Sequence, residues 1–283
     1  MKYKTCSALV SSLWLATWTF AVSPEAGRAV IQDHEQAVVT VRLVVEQGFS
    51  YNGQRQNSSE SKTETTGIVI DPAGLTVVSL TTADPSSTMD ALMGVAGGPG
   101  GQDVAFRASI KDAKLLLSDG SEVAASVVLR DKDLDLAFLR PDEEPEKPFP
   151  FIELDTSVET GVFEQVLILS RLGRVASRQP AVSLDRVMAS VKKPRPFYVL
   201  DRQVSAVSKL GSPVFTLTGQ PLGLLVLRTI QSGSSFGVSQ MFGSMDDMGV
   251  LPIVIPSADI LEAAEQVPPR GQKRRGGGEN SPE

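Results

Sequence analysis

The chain has 283 residues, of which 41% are apolar and 21% charged, and its formal net charge is −6 at pH 7. This composition is typical of a globular protein with a sizeable core, and it excludes a wholly disordered chain and a multi-span membrane protein. The acidic balance and the few aromatic residues leave little from which to build a nucleic-acid surface. Cys6 and His34 are the only cysteine and the only histidine. The sequence therefore excludes an intrachain disulfide, a Cys/His zinc site and any catalytic histidine other than His34.

The N-terminus has the pattern of an export signal. Lys2 and Lys4 precede an apolar run over residues 5–22, which is diluted by serine and threonine. We predict a signal peptide over residues 1–21 that is cleaved after Ala21. The alternative is an uncleaved anchor, because a run of 18 residues is just long enough to span a bilayer. In both cases the rest of the chain is predicted to be exported, to the periplasm or the extracellular space.

Two groups of six short β-strands are predicted by β-branched runs separated by turn residues. Turns at Asp71–Gly74 and Ser118–Ser121 each join two strands into a hairpin, and the proline-bearing acidic stretch Arg140–Pro150 divides the groups. One helix is predicted over Ala258–Gln266, with Ser257 as its cap. Two groups of six strands predict paired small barrels. The predicted strands are 37–45, 66–70, 75–80, 114–117, 123–129 and 134–139, then 162–170, 181–190, 197–204, 213–217, 221–227 and 250–255.

Three polar or glycine-rich segments are predicted to be mobile surface loops: Ser50–Thr65, Asp84–Asp103 and Ser232–Gly249. The tail over residues 268–283 lacks the apolar residues needed for a core, so we expect it to be disordered. The remaining predicted boundaries are a lead-in segment at 22–36, an N-terminal barrel at 37–150, and a C-terminal barrel with its terminal helix at 151–267.

Five segments occur in a specific order along residues 37–265. They are Gly67–Gly74 (GIVIDPAG), Asp133–Arg140 (DLDLAFLR), Leu210–Pro213 (LGSP), Gly219–Leu224 (GQPLGL) and Ile255–Ser257 before the terminal helix. Together they resemble the protease domain of the HtrA-like (high-temperature-requirement) branch of the trypsin-like serine proteases. The resemblance implies an all-β double barrel whose active site lies between the barrels. There a serine attacks a peptide carbonyl, a histidine takes its proton and an aspartate holds the histidine.

The resemblance also implies that the histidine of this triad is missing. When the family's histidine segment is laid on Gly74–Ala83, Thr81 stands where the histidine belongs. The Asp-Leu-Ala segment puts the triad acid at Asp135, which is retained. Without an imidazole to orient, Asp135 has an alternative interpretation as an acceptor of strand-end hydrogen bonds.

The nucleophile implied by the resemblance is missing as well. The family's serine lies nine residues before the glycine that corresponds to Gly219, and this position is Leu210. Ser212 stands at a glycine position of the same segment. Ser208 and Lys209 occupy the oxyanion region, where Ser208 replaces a glycine whose backbone amide would help to bind the oxyanion.

Serine-based hydrolysis needs a general base within hydrogen-bond reach of the nucleophile. His34 is flanked by two carboxylates just before the first strand, which is typical of a solvated segment rather than a cleft. The Ser-x-x-Lys patterns at Ser59–Lys62 and Ser190–Lys193 lie among polar residues, where a lysine stays charged and cannot act as a base.

We therefore predict a catalytically inactive pseudoprotease that binds a protein or an extended peptide, or that acts as a regulatory module. The alternative is an active HtrA-like serine endopeptidase that uses a non-standard base or nucleophile. No cofactor, metal or nucleic-acid partner is predicted, and a membrane is a partner only if the N-terminal segment is an uncleaved anchor.

Overall fold

The computed structural model describes residues 24–51, 54–86, 104–154, 158–229 and 250–271. The predicted signal peptide lies outside these described residues. So do most of the predicted loop at Asp84–Asp103, the predicted loop at Ser232–Gly249 and most of the predicted tail.

Six antiparallel strands close a first barrel. They are β1 (Val38–Tyr51), β2 (Gln54–Val69), β3 (Thr76–Ser79), β4 (Val104–Leu116), β5 (Glu122–Asp131) and β6 (Leu136–Pro141). Around the barrel they follow the order β1-β2-β3-β6-β5-β4. Every second residue of β1 from Val39 to Val45 is buried in the barrel interior, as the period of two in a strand requires.

Six further antiparallel strands close a second barrel. They are β7 (Gln165–Arg171), β8 (Pro180–Val191), β9 (Phe197–Leu200), β10 (Pro213–Thr216), β11 (Pro221–Thr229) and β12 (Val250–Pro256). The order around this barrel is β10-β11-β12-β9-β8-β7. The predicted all-β double barrel is thereby confirmed.

The turn between β2 and β3 has the structure that its sequence predicts. The Asp71 carboxylate accepts a hydrogen bond of 2.8 Å from the amide of Leu75, and Gly74 adopts a φ of +87° that favours glycine. A Cβ at Gly74 would lie 2.8 Å from the ring of Phe149, so the glycine also lets the segment between the barrels pack closely on this turn.

The prediction that Ser50–Thr65 is a mobile loop is wrong. Within the described residues, β1 pairs with β2 from Val38↔Ile68 to Tyr51↔Gln54, and with β4 as far as Tyr51↔Val104. The three strands therefore continue beyond the closed part of the barrel. The hydropathy pattern does not indicate these strands, for two reasons. The hydrogen bonds of an antiparallel ladder join backbone groups and do not depend on the side chains. Exposed strand residues such as Ser58–Glu60 are polar because they face water.

The predicted lead-in segment contains a helix that the sequence analysis did not find, α1 (Pro24–His34). It packs on β7 and β8 of the second barrel and buries Val30. Arg171, at the end of β7, donates from its guanidinium to the backbone oxygens of Glu35 and Val38. A positive charge at this place stabilises the C-terminal end of α1.

Within the described ranges, three more α-helices are short. α2 (Leu80–Ala83) follows β3, and α3 (Gln203–Val207) replaces the end of the strand that was predicted over 197–204. The predicted terminal helix is present as α4 (Ser257–Ala264). Its predicted cap is wrong, since the cap residue is Pro256 and the Ser257 hydroxyl donates to the Pro221 carbonyl oxygen at 3.1 Å instead.

A continuous apolar layer joins the two barrels. Each barrel has its own buried interior, and a third cluster combines Ile68 and Phe138 of the first barrel with Phe215 and Val226 of the second. This layer fixes the position of one barrel against the other. In the described ranges, no helix has the length and apolar character needed to cross a membrane.

Candidate functional site

The two residues predicted to hold the histidine and aspartate positions lie in direct contact. The Asp135 Oδ1 atom accepts hydrogen bonds from the Thr81 amide at 2.7 Å and from the Thr81 hydroxyl at 2.8 Å. Thr81 comes from α2, directly after β3, and Asp135 comes from the turn before β6. The β3–β6 pairing, with Ser79 opposite Leu136, brings these two segments together.

The second carboxylate oxygen of Asp135 is also fully engaged. Oδ2 accepts hydrogen bonds from the Ser79 hydroxyl at 2.5 Å and from the Leu227 amide at 2.9 Å. Ser79 belongs to the first barrel and Leu227 to β11 of the second, so the carboxylate bridges the two barrels.

Asp135 is buried and has a left-handed backbone conformation, with φ at +57°. Burial raises the pKa of its carboxyl above the usual value, while the hydrogen bonds from Ser79, the Leu227 amide and Thr81 oppose that rise in part. A left-handed non-glycine residue is uncommon, and here the carbonyl oxygen of Asp135 is fixed by the Leu80 amide at 2.7 Å. The acid is thus held rigidly at the junction of the barrels.

Leu210, at the predicted nucleophile position, is a core residue. Its side chain is buried among apolar residues of the second barrel, including Val166, Ile168 and Val214. The next residue, Gly211, packs closely against the first barrel, because a Cβ there would lie 2.2 Å from the Thr66 carbonyl oxygen. The φ of Gly211 is +82°, so both space and conformation require glycine.

Ser212 does not supply a replacement nucleophile. The residue is fully buried, and its hydroxyl has no hydrogen-bond partner among the described residues. A nucleophile must reach both a base and the substrate, and this hydroxyl reaches neither.

The predicted oxyanion segment forms its own local contacts. The exposed Ser208 donates from its hydroxyl to the Ser205 carbonyl oxygen at 2.9 Å, and the Lys209 amide donates to the Ala206 carbonyl oxygen at 2.9 Å. The Lys209 ammonium turns toward β8 and donates to the Ser183 hydroxyl at 2.8 Å. The Lys209 amide is therefore not directed at a ligand.

Among the described residues, His34 is not a hydrogen-bond partner of the Asp135 carboxylate. Its ring stacks on Phe215 with the centroids 4.7 Å apart and an interplanar angle of 17°. The four hydrogen bonds that the Asp135 carboxylate accepts come from Ser79, Thr81 and Leu227. The chain's single imidazole thus packs at the end of α1 against the second barrel, where a solvated lead-in segment was expected.

The two predicted Ser-x-x-Lys patterns lie on exposed strand surfaces. Lys62 is exposed on β2, and Ser190 and Lys192 are exposed at the end of β8. Within the part of the chain that the structure describes, no group of three or more His, Cys, Asp or Glu side chains is placed to hold a metal ion.

Residues 27–224 match the family model of the trypsin-like peptidase domain. The chain belongs to the trypsin-like peptidase family. The matched range includes Thr81, Asp135 and Leu210, and the predicted resemblance to the family is confirmed. Among curated proteins, no sequence matches this chain.

Solved structures of two proteases share the fold of this trypsin-like domain. One is the HtrA-type protease AlgW with a tripeptide, at 15% identity and a TM-score of 0.51 over 86% of this chain. This chain spans 64% of the length of that structure. The other is the Rv3671c protease in an inactive form, at 15% identity and a TM-score of 0.50, covering 87% of this chain and 97% of the other.

Two partners of Asp135 were missed by the sequence analysis. Ser79 stands at the end of a predicted strand, and a hydroxyl among buried residues such as Val77 and Val78 is the signal that could have identified it. Leu227 contributes through its backbone amide, which no residue type can reveal. Its role depends wholly on how the second barrel is placed.

Proposed function

We propose that this trypsin-like domain is an exported pseudoprotease that binds extended peptides in the cleft between its barrels and does not cleave them. The observation that carries the proposal is that both carboxylate oxygens of Asp135 already accept hydrogen bonds from neighbouring groups. Thr81 donates two hydrogen bonds to one carboxylate oxygen, and Ser79 and Leu227 each donate one to the other. In a serine protease, that carboxylate orients the imidazole which deprotonates the nucleophile.

The burial of Leu210 supports the same conclusion from the other side of the cleft. Its side chain packs in the barrel interior, and its position carries no hydroxyl. When both the nucleophile and the base of a triad are absent, only the catalysis due to binding and oxyanion contacts remains, about a thousand-fold over water. Peptide hydrolysis at that rate would be too slow to detect.

A strand edge beside Asp135 that is only partly paired among the described residues supports peptide binding. In the described ranges, β10 pairs with β11 only as far as Pro213↔Leu224, while β12 pairs with β11 on its other side as far as Thr229. The Leu227 amide on this edge is held by Asp135, so an extended peptide would pair by β-augmentation with the Leu227 carbonyl oxygen and the backbone of Thr229. The HtrA-type structure that shares this fold was determined with a tripeptide.

Two measurements on the purified full chain test the proposal. A fluorophosphonate probe and a casein digest are expected to give no labelling and no cleavage. A fluorescein-labelled β-casein peptide is expected to bind, with Thr81→Trp blocking the cleft and reducing affinity at least about tenfold. Thr218→Trp, in the exposed turn between β10 and β11, is the matched control and should bind as the parent does.

Two results would refute the proposal, and they differ. Stoichiometric fluorophosphonate labelling that a single Ser→Ala variant removes would show an active serine hydrolase. Equal peptide affinity in the Thr81→Trp and parent proteins would show that the cleft is not the binding site.

A further inference from the structure

The outer edge of β2 has no neighbouring strand over most of its length. β2 pairs with β1 from end to end, but it pairs with β3 only at Ile68↔Val77 and Val69↔Thr76. Among the described residues, no backbone hydrogen bond outside the β1–β2 ladder involves residues 58–64, which we call the β2 edge. Alternate residues of this edge therefore direct their backbone N–H and C=O groups away from the sheet, where another strand can pair with them.

The two faces of the β2 edge carry different side chains. Ser61 is opposite Val45, which is buried in the barrel interior, so the hydroxyl side chains at 59, 61 and 63 lie on the inner face. Glu60 and Lys62 alternate with them and lie on the outer face, where both are exposed. The outer face of this edge thus presents one negative and one positive charge.

Glu60 has no cation beside it in its own copy of the chain. It is opposite Glu46 of β1, and the Glu46 carboxylate contacts the Lys111 ammonium at 2.7 Å. No described ion pair includes Glu60. A like charge directly across a ladder is unfavourable, so a further cation next to Glu60 would be stabilising.

Lys62 also has no ion-pair partner among the described residues. Glu64, the following residue on the same face, is already paired with Arg178 at 2.6 Å and with Arg42 at 3.3 Å. Asp112 of β4 is separated from Lys62 by the whole of β1. The neighbouring charges therefore leave the Lys62 ammonium available for a carboxylate that arrives at the open edge.

A two-fold axis through Ser61 makes the β2 edge complementary to itself. When two copies of the edge pair in antiparallel fashion about this axis, residue 60 of each copy is opposite residue 62 of the other. Glu60 then meets Lys62 twice, while on the inner face Ser61 meets Ser61 and Ser59 meets Thr63. Opposite charges and paired hydroxyls both stabilise an antiparallel ladder, and a self-complementary surface is what a two-fold dimer requires.

This complementarity is specific to one register. An axis through Glu60 or through Lys62 would place identical charges opposite each other, which destabilises a ladder. A shift by one residue would bring the outer face of one copy beside the inner face of the other. The side chains of the β2 edge therefore favour the pairing centred on Ser61.

We infer that two copies of this chain associate through the β2 edge, as an antiparallel strand pair centred on Ser61. The backbone groups of residues 58–64 form the ladder, and two Glu60–Lys62 contacts select the second copy and fix the register. The contact joins the first barrels of the two copies, and it does not involve Asp135.

Exchange of the two charges tests the inference by sedimentation velocity on the purified full chain. The parent is expected to form a dimer whose fraction rises with protein concentration. Glu60→Lys alone and Lys62→Glu alone should each weaken the dimer at least about tenfold, because both cross-strand pairs then become repulsive. Lys192→Glu makes the same charge change at an exposed residue after β8 and should leave the dimer unchanged.

Two combinations of the same substitutions should recover association. An equimolar mixture of the Glu60→Lys and Lys62→Glu proteins should form a heterodimer, because each residue 60 again meets an opposite charge at residue 62. A chain with both substitutions should form a dimer like that of the parent for the same reason. Recovery also shows that the single variants are folded.

A disulfide measures the position of the axis. Cys6 is the only natural cysteine, so Cys6→Ser provides the background. Ser61→Cys lies opposite itself and should form a disulfide between copies with copper–phenanthroline as the oxidant. Ser59→Cys is the control, because its two copies would lie about 13 Å apart along the strands and should cross-link far more slowly.

Three results would overturn the inference. A parent that stays monomeric at every protein concentration would show that the charges keep this edge unpaired. A dimer that neither single substitution weakens would show that another surface joins the copies. A mixture that forms no heterodimer would show that Glu60 and Lys62 do not meet across the contact.

Discussion

The carboxylate of Asp135 in the first barrel accepts a hydrogen bond of 2.9 Å from the backbone amide of Leu227 in the second. The remaining three hydrogen bonds to this carboxylate come from Ser79 and Thr81 of the first barrel. A position that holds the acid of a catalytic triad in the resembling proteases thus joins the two barrels in this chain. The retained aspartate has a structural role that does not depend on a histidine.

Replacing Asp135 should destabilise the protein strongly. Asp135→Ala leaves the Ser79 hydroxyl and the amides of Thr81 and Leu227 without their acceptor, and each buried unsatisfied group costs about 1–3 kcal/mol. We expect a loss of about 4 kcal/mol in the free energy of unfolding, measured by urea denaturation. Asp133→Ala, at an exposed residue two positions earlier, should change it by less than about 0.5 kcal/mol. Equal losses in the two variants would contradict this role.

The raised pKa of the Asp135 carboxyl should make the protein lose stability as the pH rises. Because burial raises the pKa of this carboxyl, its contribution to stability is fully present below the pKa of the unfolded chain, about 3.9, and is lost as the pH rises through the folded-state pKa. Measured against Asp135→Asn, the parent should therefore be relatively most stable near pH 3.5 and lose part of that difference by pH 7. A difference that grows with pH would show that the carboxyl has a depressed pKa.

Glu64 should show the opposite pH dependence. It forms two hydrogen bonds with Arg178, at 2.6 and 2.9 Å, across the barrel junction, and this contact lowers the pKa of the Glu64 carboxyl. Its stabilising contribution is present above the unfolded-state pKa of about 4.3 and is lost as the pH falls through the lower folded-state value.

Glu64→Gln should thus reduce stability by about 1 kcal/mol at pH 7 and by less at pH 3, and the effect should shrink in 1 M NaCl. Thermal unfolding at both pH values measures it. Asp133→Asn, at an exposed residue of the first barrel, is the control, and a salt-independent effect at Glu64 would argue against the ion pair.

Gly211 should tolerate no side chain. In Gly211→Ala the new Cβ meets the Thr66 carbonyl oxygen at 2.2 Å and the backbone keeps a φ of +82°, so the barrels must move apart or the residue must change conformation. We expect a loss above about 3 kcal/mol. Gly120→Ala has a similar φ of +86° with nothing within 4 Å and should lose only about 1 kcal/mol. Urea denaturation of both variants separates the steric cost from the conformational one.

Placing histidine and serine at the predicted triad positions should not produce catalysis. Leu210→Ser removes a buried side chain and places a hydroxyl in an apolar core, which should cost about 3 kcal/mol, whereas Val204→Ser at an exposed residue should cost little. Because residue 210 points into the barrel, Thr81→His combined with Leu210→Ser should remain unlabelled by fluorophosphonate at pH 7–9. Labelling of the double variant would show that the cleft retains the geometry of an active protease.

The sequence by itself predicted most of the strands and their grouping into two barrels, which the structure confirms. Turn residues such as Asp71 and Gly74, and the alternation of β1, are local features, and local hydrogen bonding and the period of two fix what they form. A polar extension such as Ser50–Thr65 gives no apolar pattern, since the ladder that stabilises it is built from backbone groups of β1.

Only the tertiary structure shows which groups contact one another at the junction of the barrels. His34 stacks on Phe215, and the Leu227 amide reaches Asp135 across 92 positions of sequence. The close approach at Gly211 likewise depends on Thr66 in the other barrel. These contacts depend on the packing of one barrel against the other, and the apolar layer that sets this packing joins residues distant in the chain.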